Sequence, residues 1–135
     1  MSESLLVLGG GLTVTEKALA GTQVLLVEDE PLVSFLLEDM LEELGCEVVA
    51  RASTIAAAMK QVDRAQFHVA VLDVNVAGEK IYPVADRIER RSLPIVFSTG
   101  YGAAGIADDW RRYPVVGKPF RMDDLCRALM RALEA

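Results

Sequence analysis

The sequence predicts an α/β domain built on a doubly wound parallel sheet with helices on both faces. Two observations carry the prediction. The runs Gln23-Val24-Leu25-Leu26-Val27 and Val69-Ala70-Val71-Leu72-Asp73 are apolar with almost no polar alternation, as expected of short strands buried on both sides. Longer segments between such runs place apolar residues at helical spacing. Regular alternation of the two kinds implies right-handed crossovers that return each helix onto a parallel sheet. Ligands of such sheets bind beyond the strand carboxyl ends, near the point where strand order reverses.

Taken in order, Gln23 to Val27 is the first strand and runs into the acidic triplet Glu28-Asp29-Glu30. Pro31 suits a first helical turn, and Val33, Leu36, Leu37, Met40, Leu41 and Leu44 keep helical spacing until Gly45. Cys46 to Ala50 is a second strand, and Ser53 is the expected N-cap of an Ala-rich helix reaching about Arg64. Val69 to Asp73 is the third strand. Tyr82 to Arg91 reads as a helix, Pro94 to Ser98 as a strand, Ala103 to Arg112 as a weak helix, Val115-Val116 as a short strand and Met122 to Leu133 as a closing amphipathic helix. That makes five βα units. Gly100, Gly102 and Gly105 weaken the fourth helix, by roughly 1 kcal/mol for each glycine in a helix interior.

A chain of 135 residues has the size of one domain. Its net charge of −6 argues against a nucleic-acid footprint, which needs clustered Lys and Arg. Cys46 and Cys126 lack metal-ligand spacing and read as buried thiols of a reducing compartment. The apolar stretch Leu5 to Leu8 has no basic region before it and is stopped by Gly9-Gly10-Gly11, so neither a signal peptide nor a membrane span is expected, and the location expected is cytoplasmic. Residues 1–21 read as an N-terminal extension and 22–135 as the folded domain. Within the extension the three glycines read as a joint, and Leu12-Thr13-Val14-Thr15 as a strand that pairs with a sheet edge or a second molecule, with disorder the equal alternative.

Acids collect at strand carboxyl ends: Glu28 and Asp29 after the first strand, Asp73 after the third. Converging carboxylates repel unless a cation bridges them, and hard oxygen ligands with open water positions suit Mg²⁺. The fourth strand ends in Ser98-Thr99-Gly100 and the fifth in Gly117-Lys118-Pro119-Phe120, which brings a hydroxyl and an ammonium to the same rim. This set suits phosphoryl transfer to a carboxylate. Asp73 is the nucleophile, Mg²⁺ and Lys118 neutralise the phosphoryl oxygens, and Thr99 donates a hydrogen bond. A carboxylate is ionised at neutral pH, so no separate base is needed.

The motifs Leu25-Leu26-Val27-Glu28-Asp29-Glu30, Val71-Leu72-Asp73-Val74-Asn75, Phe97-Ser98-Thr99-Gly100 and Lys118-Pro119-Phe120 together resemble the receiver domains of two-component response regulators, over roughly residues 22–135. The resemblance implies a flavodoxin-like (βα)5 sheet of strand order 2-1-3-4-5, with Asp73 as phosphoacceptor. It makes Glu28, Asp29, Asp73 and the backbone carbonyl of Asn75 ligands of Mg²⁺, Thr99 the switch hydroxyl and Lys118 the phosphate-contacting lysine. A histidine kinase or phosphotransfer protein is the implied donor, a downstream protein the implied target, and homodimerisation an assembly the resemblance allows. An enzyme in its own right is not expected. The stretch Pro94 to Gly102 is similar to a single-domain subgroup with a Phe-Ala-Thr-Gly-like signature.

Two positions depart from the family pattern. Glu28 stands where many receivers have Asp, and Val115 where many have an aromatic residue three before the lysine. Tyr101 is then the substitute switch aromatic, against a plain loop reading of equal weight. The glycines around it predict a segment that orders on phosphorylation. His68 reads as a rim residue without a role, and Trp110 as core rather than interface anchor. Two other functions compete: a phosphorylation-independent pseudo-receiver that only binds partners, and an aspartyl-phosphate hydrolase. The hydrolase would need an Asp where Asn75 stands.

Overall fold

The computed structural model describes residues 5–8, 12–15 and 19–134, and the Gly9 to Gly11 joint lies outside the described residues. Strands β1 (Leu5–Leu8) and β2 (Leu12–Thr15) pair antiparallel, Leu5 opposite Thr15 and Leu8 opposite Leu12. The strand expected at Leu12 to Thr15 therefore pairs with the preceding stretch of its own chain, as a separate two-stranded ribbon.

The central sheet has five parallel strands, β3 (Gln23–Val27), β4 (Glu47–Ala52), β5 (Val69–Asp73), β8 (Ile95–Thr99) and β9 (Val115–Gly117), in the order β4-β3-β5-β8-β9. Counted along the βα units this is 2-1-3-4-5, the flavodoxin-like order. A short ribbon of β6 (Asn75–Val76) and β7 (Glu79–Lys80) follows β5. It turns through Ala77 at φ 50° and Gly78 at φ 82°, the two consecutive left-handed residues that a tight two-residue hairpin requires.

Among the described residues four helices cover the sheet: α1 (Pro31–Glu43), α2 (Ile55–Arg64), α3 (Tyr82–Arg90) and α4 (Met122–Glu134). Side chains of the inner strands alternate between two cores. Val24, Leu26, Val71 and Val96 face Leu37 and Leu41 of α1 and Leu125 and Leu129 of α4. Leu25, Val27, Leu72 and Phe97 face Ala58 and Val62 of α2 and Val84 and Ile88 of α3. All residues of β5 and β8 are buried, which explains why those runs carry almost no polar alternation. Cys46 and Cys126 sit in the first core. Burial, with Cys126 adding to it, pushes the Cys46 thiol up to about 11, so it is inert at neutral pH.

The ends of elements follow local chemistry. Pro31 begins α1, where its missing N–H costs nothing, and Gly45 at φ 95° ends it. The N-cap of α2 is Thr54, whose hydroxyl accepts from the Ala57 N–H at 3.1 Å, and not Ser53 as the sequence suggested. The reason is that β4 runs two residues further than expected, because Arg51 and Ala52 still pair with Leu26 and Val27.

The fourth crossover is the main correction. In place of an α-helix over Ala103 to Arg112 there are two 3-10 turns, Gly102–Gly105 and Asp108–Trp110. Between the two turns Ile106 and Ala107 are extended, at ψ 134° and 147°, so no continuous α-helix runs across residues 103–112. Aromatic packing supplies what helical packing would have. Trp110 stacks between Tyr82 at 5.9 Å and Tyr113 at 5.7 Å, with the Phe97 ring edge-on at 6.0 Å. The Tyr82 hydroxyl accepts from the Ala107 N–H at 2.8 Å. Trp110 thus packs against the core, as expected. No helix among the described residues is long and apolar enough to cross a membrane.

Candidate functional site

The carboxyl ends of β3, β5, β8 and β9 meet on one rim, because these strands are neighbours in the sheet. Each end delivers a polar side chain that a strand interior could not hold. Glu28 is 3 % exposed, Asp73 5 % and Thr99 2 %, so all three are buried polar groups that need partners.

Lys118 supplies much of that pairing. Its Nζ lies 3.0 Å from Asp73 Oδ2 and 3.1 Å from Glu28 Oε1. The contact to Asp73 is a hydrogen bond; the one to Glu28 is an ion pair whose angles fall outside hydrogen-bond range, which leaves Oε1 buried without a donor. The backbone completes the acids. Glu28 Oε2 accepts from the Glu30 N–H at 3.0 Å, and Asp73 Oδ1 from the Asn75 N–H at 3.3 Å. Asp29 Oδ2 accepts from the Ala77 N–H at 3.0 Å, which ties the β6–β7 ribbon to the site.

Electrostatics follow from burial and neighbours. Desolvation pushes the Glu28 carboxyl up to about 7, with the Asp73 charge adding to it and the Glu30 N–H and Lys118 opposing it. For Lys118 partial burial pulls down, but the Asp73 and Glu28 carboxylates outweigh it and hold the ammonium above its ordinary value. Lys118 is therefore charged at neutral pH.

The donor set fits a divalent cation. One carboxylate oxygen each from Glu28, Asp29 and Asp73 lie within 4.8 Å of one another, and Glu28 Oε1 is a buried oxygen met by the Lys118 ammonium at 3.1 Å without a well-aligned hydrogen bond, which leaves it open to a metal ion. All-oxygen ligands of this kind match Mg²⁺.

A model of the response regulator receiver domain matches residues 24–130. The chain belongs to the response regulator receiver family. This receiver is 33 % identical to the transcriptional regulatory protein TcrA of Mycobacterium tuberculosis, an alignment covering 84 % of this chain and 46 % of that protein. It is 28 % identical to the phyllosphere-induced regulator PhyR of Methylorubrum extorquens, over 83 % of this chain and 43 % of PhyR. The chain thus spans less than half the length of these curated relatives. Among solved structures, SdrG from Sphingomonas melonis Fr1 superposes with a TM-score of 0.76 at 42 % identity, covering 85 % of this chain and 98 % of SdrG. The receiver domain of PhyR from Erythrobacter litoralis gives 0.76 at 28 % identity, covering 87 % and 93 %.

Of the residues read from the sequence, Glu28, Asp29, Asp73 and Lys118 converge on one pocket of the receiver. Thr99 closes its rim, its carbonyl accepting from the Lys118 N–H at 3.0 Å and its Oγ1 from the Tyr101 N–H at 3.1 Å. Asn75 stands beside Asp73, with its side-chain oxygen accepting from Lys80 Nζ at 2.7 Å. The Tyr101 ring is not drawn in, for the residue is 77 % exposed and only its backbone meets Thr99. Val115, in the place of the family aromatic, is half-buried against the second core. His68 lies at the opposite end of the sheet, its Nδ1 accepting from the Gln23 N–H at 2.9 Å. Sequence reasoning missed the Ala77 amide that steadies Asp29 and the Lys80 that steadies Asn75. The adjacent Ala77-Gly78 pair was the available turn signal for both.

Proposed function

We propose that this receiver is a phosphoacceptor in two-component phosphorelay signalling, in which Asp73 takes a phosphoryl group from a histidine kinase or phosphotransfer protein with Mg²⁺ and so switches a partner-binding surface. The observation that carries the reading is the convergence of three carboxylate oxygens within 4.8 Å, with Lys118 Nζ 3.0 Å from Asp73. Oδ2 or Oδ1 of Asp73 attacks phosphorus as the bond from phosphorus to the donor's histidine nitrogen breaks, leaving an acyl phosphate. Glu28, Asp29, Asp73 and the backbone carbonyl of Asn75 would hold the Mg²⁺, which supplies charge neutralisation for the phosphoryl oxygens. Lys118 moves from its carboxylates to those oxygens, and the Thr99 hydroxyl donates to another. The chain assists its own phosphorylation and dephosphorylation and acts on no other substrate. Its working place is the cytoplasm.

The donor protein has a surface to dock on. Leu32 is 84 % and Phe35 74 % exposed on the first turns of α1, directly after the acidic triplet of the site. Large apolar side chains held in water beside a reaction centre suit a protein that covers them transiently. The downstream partner and any homodimer are further surfaces of the same switch.

The second reading, a phosphorylation-independent pseudo-receiver, draws on Lys118 spanning both buried acids, a pocket already neutralised from within. Incubation with acetyl phosphate, with and without Mg²⁺, separates the two. An intact-mass adduct that needs Mg²⁺ and disappears in Asp73→Asn supports the phosphoacceptor; no adduct under any condition sinks it in favour of the pseudo-receiver.

A further inference from the structure

Thr99 Oγ1 rests in a seat made by two neighbours. The Tyr101 N–H donates to it at 3.1 Å, and on its other side stands Gly105, the last residue of the first 3-10 turn. A Cβ built on Gly105 would fall 2.6 Å from Thr99 Oγ1, 3.6 Å from Thr99 Cβ and 3.1 Å from Tyr101 Cβ. The first of these distances is closer than carbon and oxygen approach without a bond, the second is ordinary contact, and the third calls for a small adjustment. The hydroxyl therefore occupies its seat only because position 105 has no side chain.

The rotamers of threonine sharpen the point. Rotation about Cα–Cβ permutes Oγ1, Cγ2 and hydrogen among three staggered positions. With a methyl at position 105, the seat cannot hold Oγ1, and it holds Cγ2 still less readily. One rotamer remains, the one that turns hydrogen toward position 105 and breaks the bond from Tyr101.

We propose that Gly105 is a positioning residue that keeps the Thr99 hydroxyl in its resting seat against the Tyr101 amide, and that a side chain there drives the hydroxyl out of that seat into a position from which it can meet a phosphoryl group. The first half stands on contact geometry alone. The second rests on the phospho-switch reading, in which Thr99 must leave Tyr101 to meet a phosphoryl group. Gly105 then sets how much of the resting protein is already competent, since apparent affinity scales with the competent fraction.

The test uses Gly105→Ala in the full chain, read by hydrogen exchange at the Tyr101 amide and by binding of beryllofluoride with Mg²⁺ as phosphoryl mimic. Expected are Tyr101 exchange about tenfold faster without any phosphodonor, and beryllofluoride binding about fivefold tighter. In a Thr99→Ala background the same substitution should change neither, because the hydroxyl it displaces is gone. Unchanged Tyr101 protection, weaker beryllofluoride binding, or equal effects in the Thr99→Ala background would overturn the proposal. Should Gly105→Ala fail to fold, a double variant that folds supports the hydroxyl contact, and a double variant that also fails contradicts it. A wild-type chain that binds no beryllofluoride overturns the phospho-switch reading and the second half with it, while Tyr101 exchange still decides the first.

Discussion

At the scale of single residues, Lys118 would compete with a bound cation for the same oxygens. It sits 3.0 Å from Asp73 and 3.1 Å from Glu28, and its removal leaves converging carboxylates that a metal ion or a proton on Glu28 must neutralise. Lys118→Ala should therefore bind Mg²⁺ at least as tightly as the wild type in a calorimetric titration, yet accept phosphoryl from acetyl phosphate more than about tenfold more slowly, because charge on the transferring group goes uncompensated. A fall in both would mean that the lysine organises the pocket rather than the reaction. Asp73 and Thr99 were legible in the sequence because each ends a wholly buried strand, a place where a polar side chain needs a reason, and Lys118 because it follows the short fifth strand in a Lys-Pro-Phe motif. The internal ion pair from Lys118 to Glu28 was not, since the order of residues gives neighbours on a rim but no distances. The same limit applies to Tyr101, whose adjacency to Thr99 is a fact of the backbone and not of its ring.

Among the elements, α1, α2 and the fourth crossover make separate predictions. Phe35→Ser should slow labelling by a phosphorylated histidine kinase by about tenfold or more while leaving labelling by acetyl phosphate unchanged, as expected of an exposed anchor that touches only the donor protein. Thr54→Ala removes the cap of α2 and should cost about 1 kcal/mol, read as a lower urea midpoint at unchanged slope. Trp110→Ala opens the stack between Tyr82 and Tyr113 and should cost about 3 kcal/mol in the same measurement, at the low end for a tryptophan because the ring is only half-buried. Helices α1, α3 and α4 were legible from periodicity, to within two residues at either end. The helix expected over Ala103 to Arg112 was misread because that stretch has helical composition, while Ile106 and Ala107 are held extended between two short turns and Trp110 packs on aromatic partners distant in sequence. Ser53 lost the cap to Thr54 for a similar reason, the pairing of β4 with β3 extending past the strand that local residues suggest.

For the whole molecule, the sheet separates the buried side chains of the described residues into two distinct cores that share only backbone. Leu41→Ala in one core should cost about 3 kcal/mol and Ile88→Val in the other about 1 kcal/mol. The double variant should show their sum to within about 0.5 kcal/mol by urea unfolding, since the sites have no common neighbour. The parallel sheet itself was readable from the apolar runs of β3 and β5, buried on both faces, and the site from what stands at their carboxyl ends. The β6–β7 ribbon escaped notice because two-residue strands carry no periodicity, though it brings the Ala77 amide to Asp29. On the proposed function, all of this serves one chemical event on Asp73. The direct test is to treat the chain with acetyl phosphate and Mg²⁺, reduce it with borohydride, which converts an aspartyl phosphate to homoserine, and map the peptides. Homoserine at position 73 alone, absent when Mg²⁺ is withheld, is the expected result; homoserine elsewhere, or none, would contradict Asp73 as the phosphoacceptor.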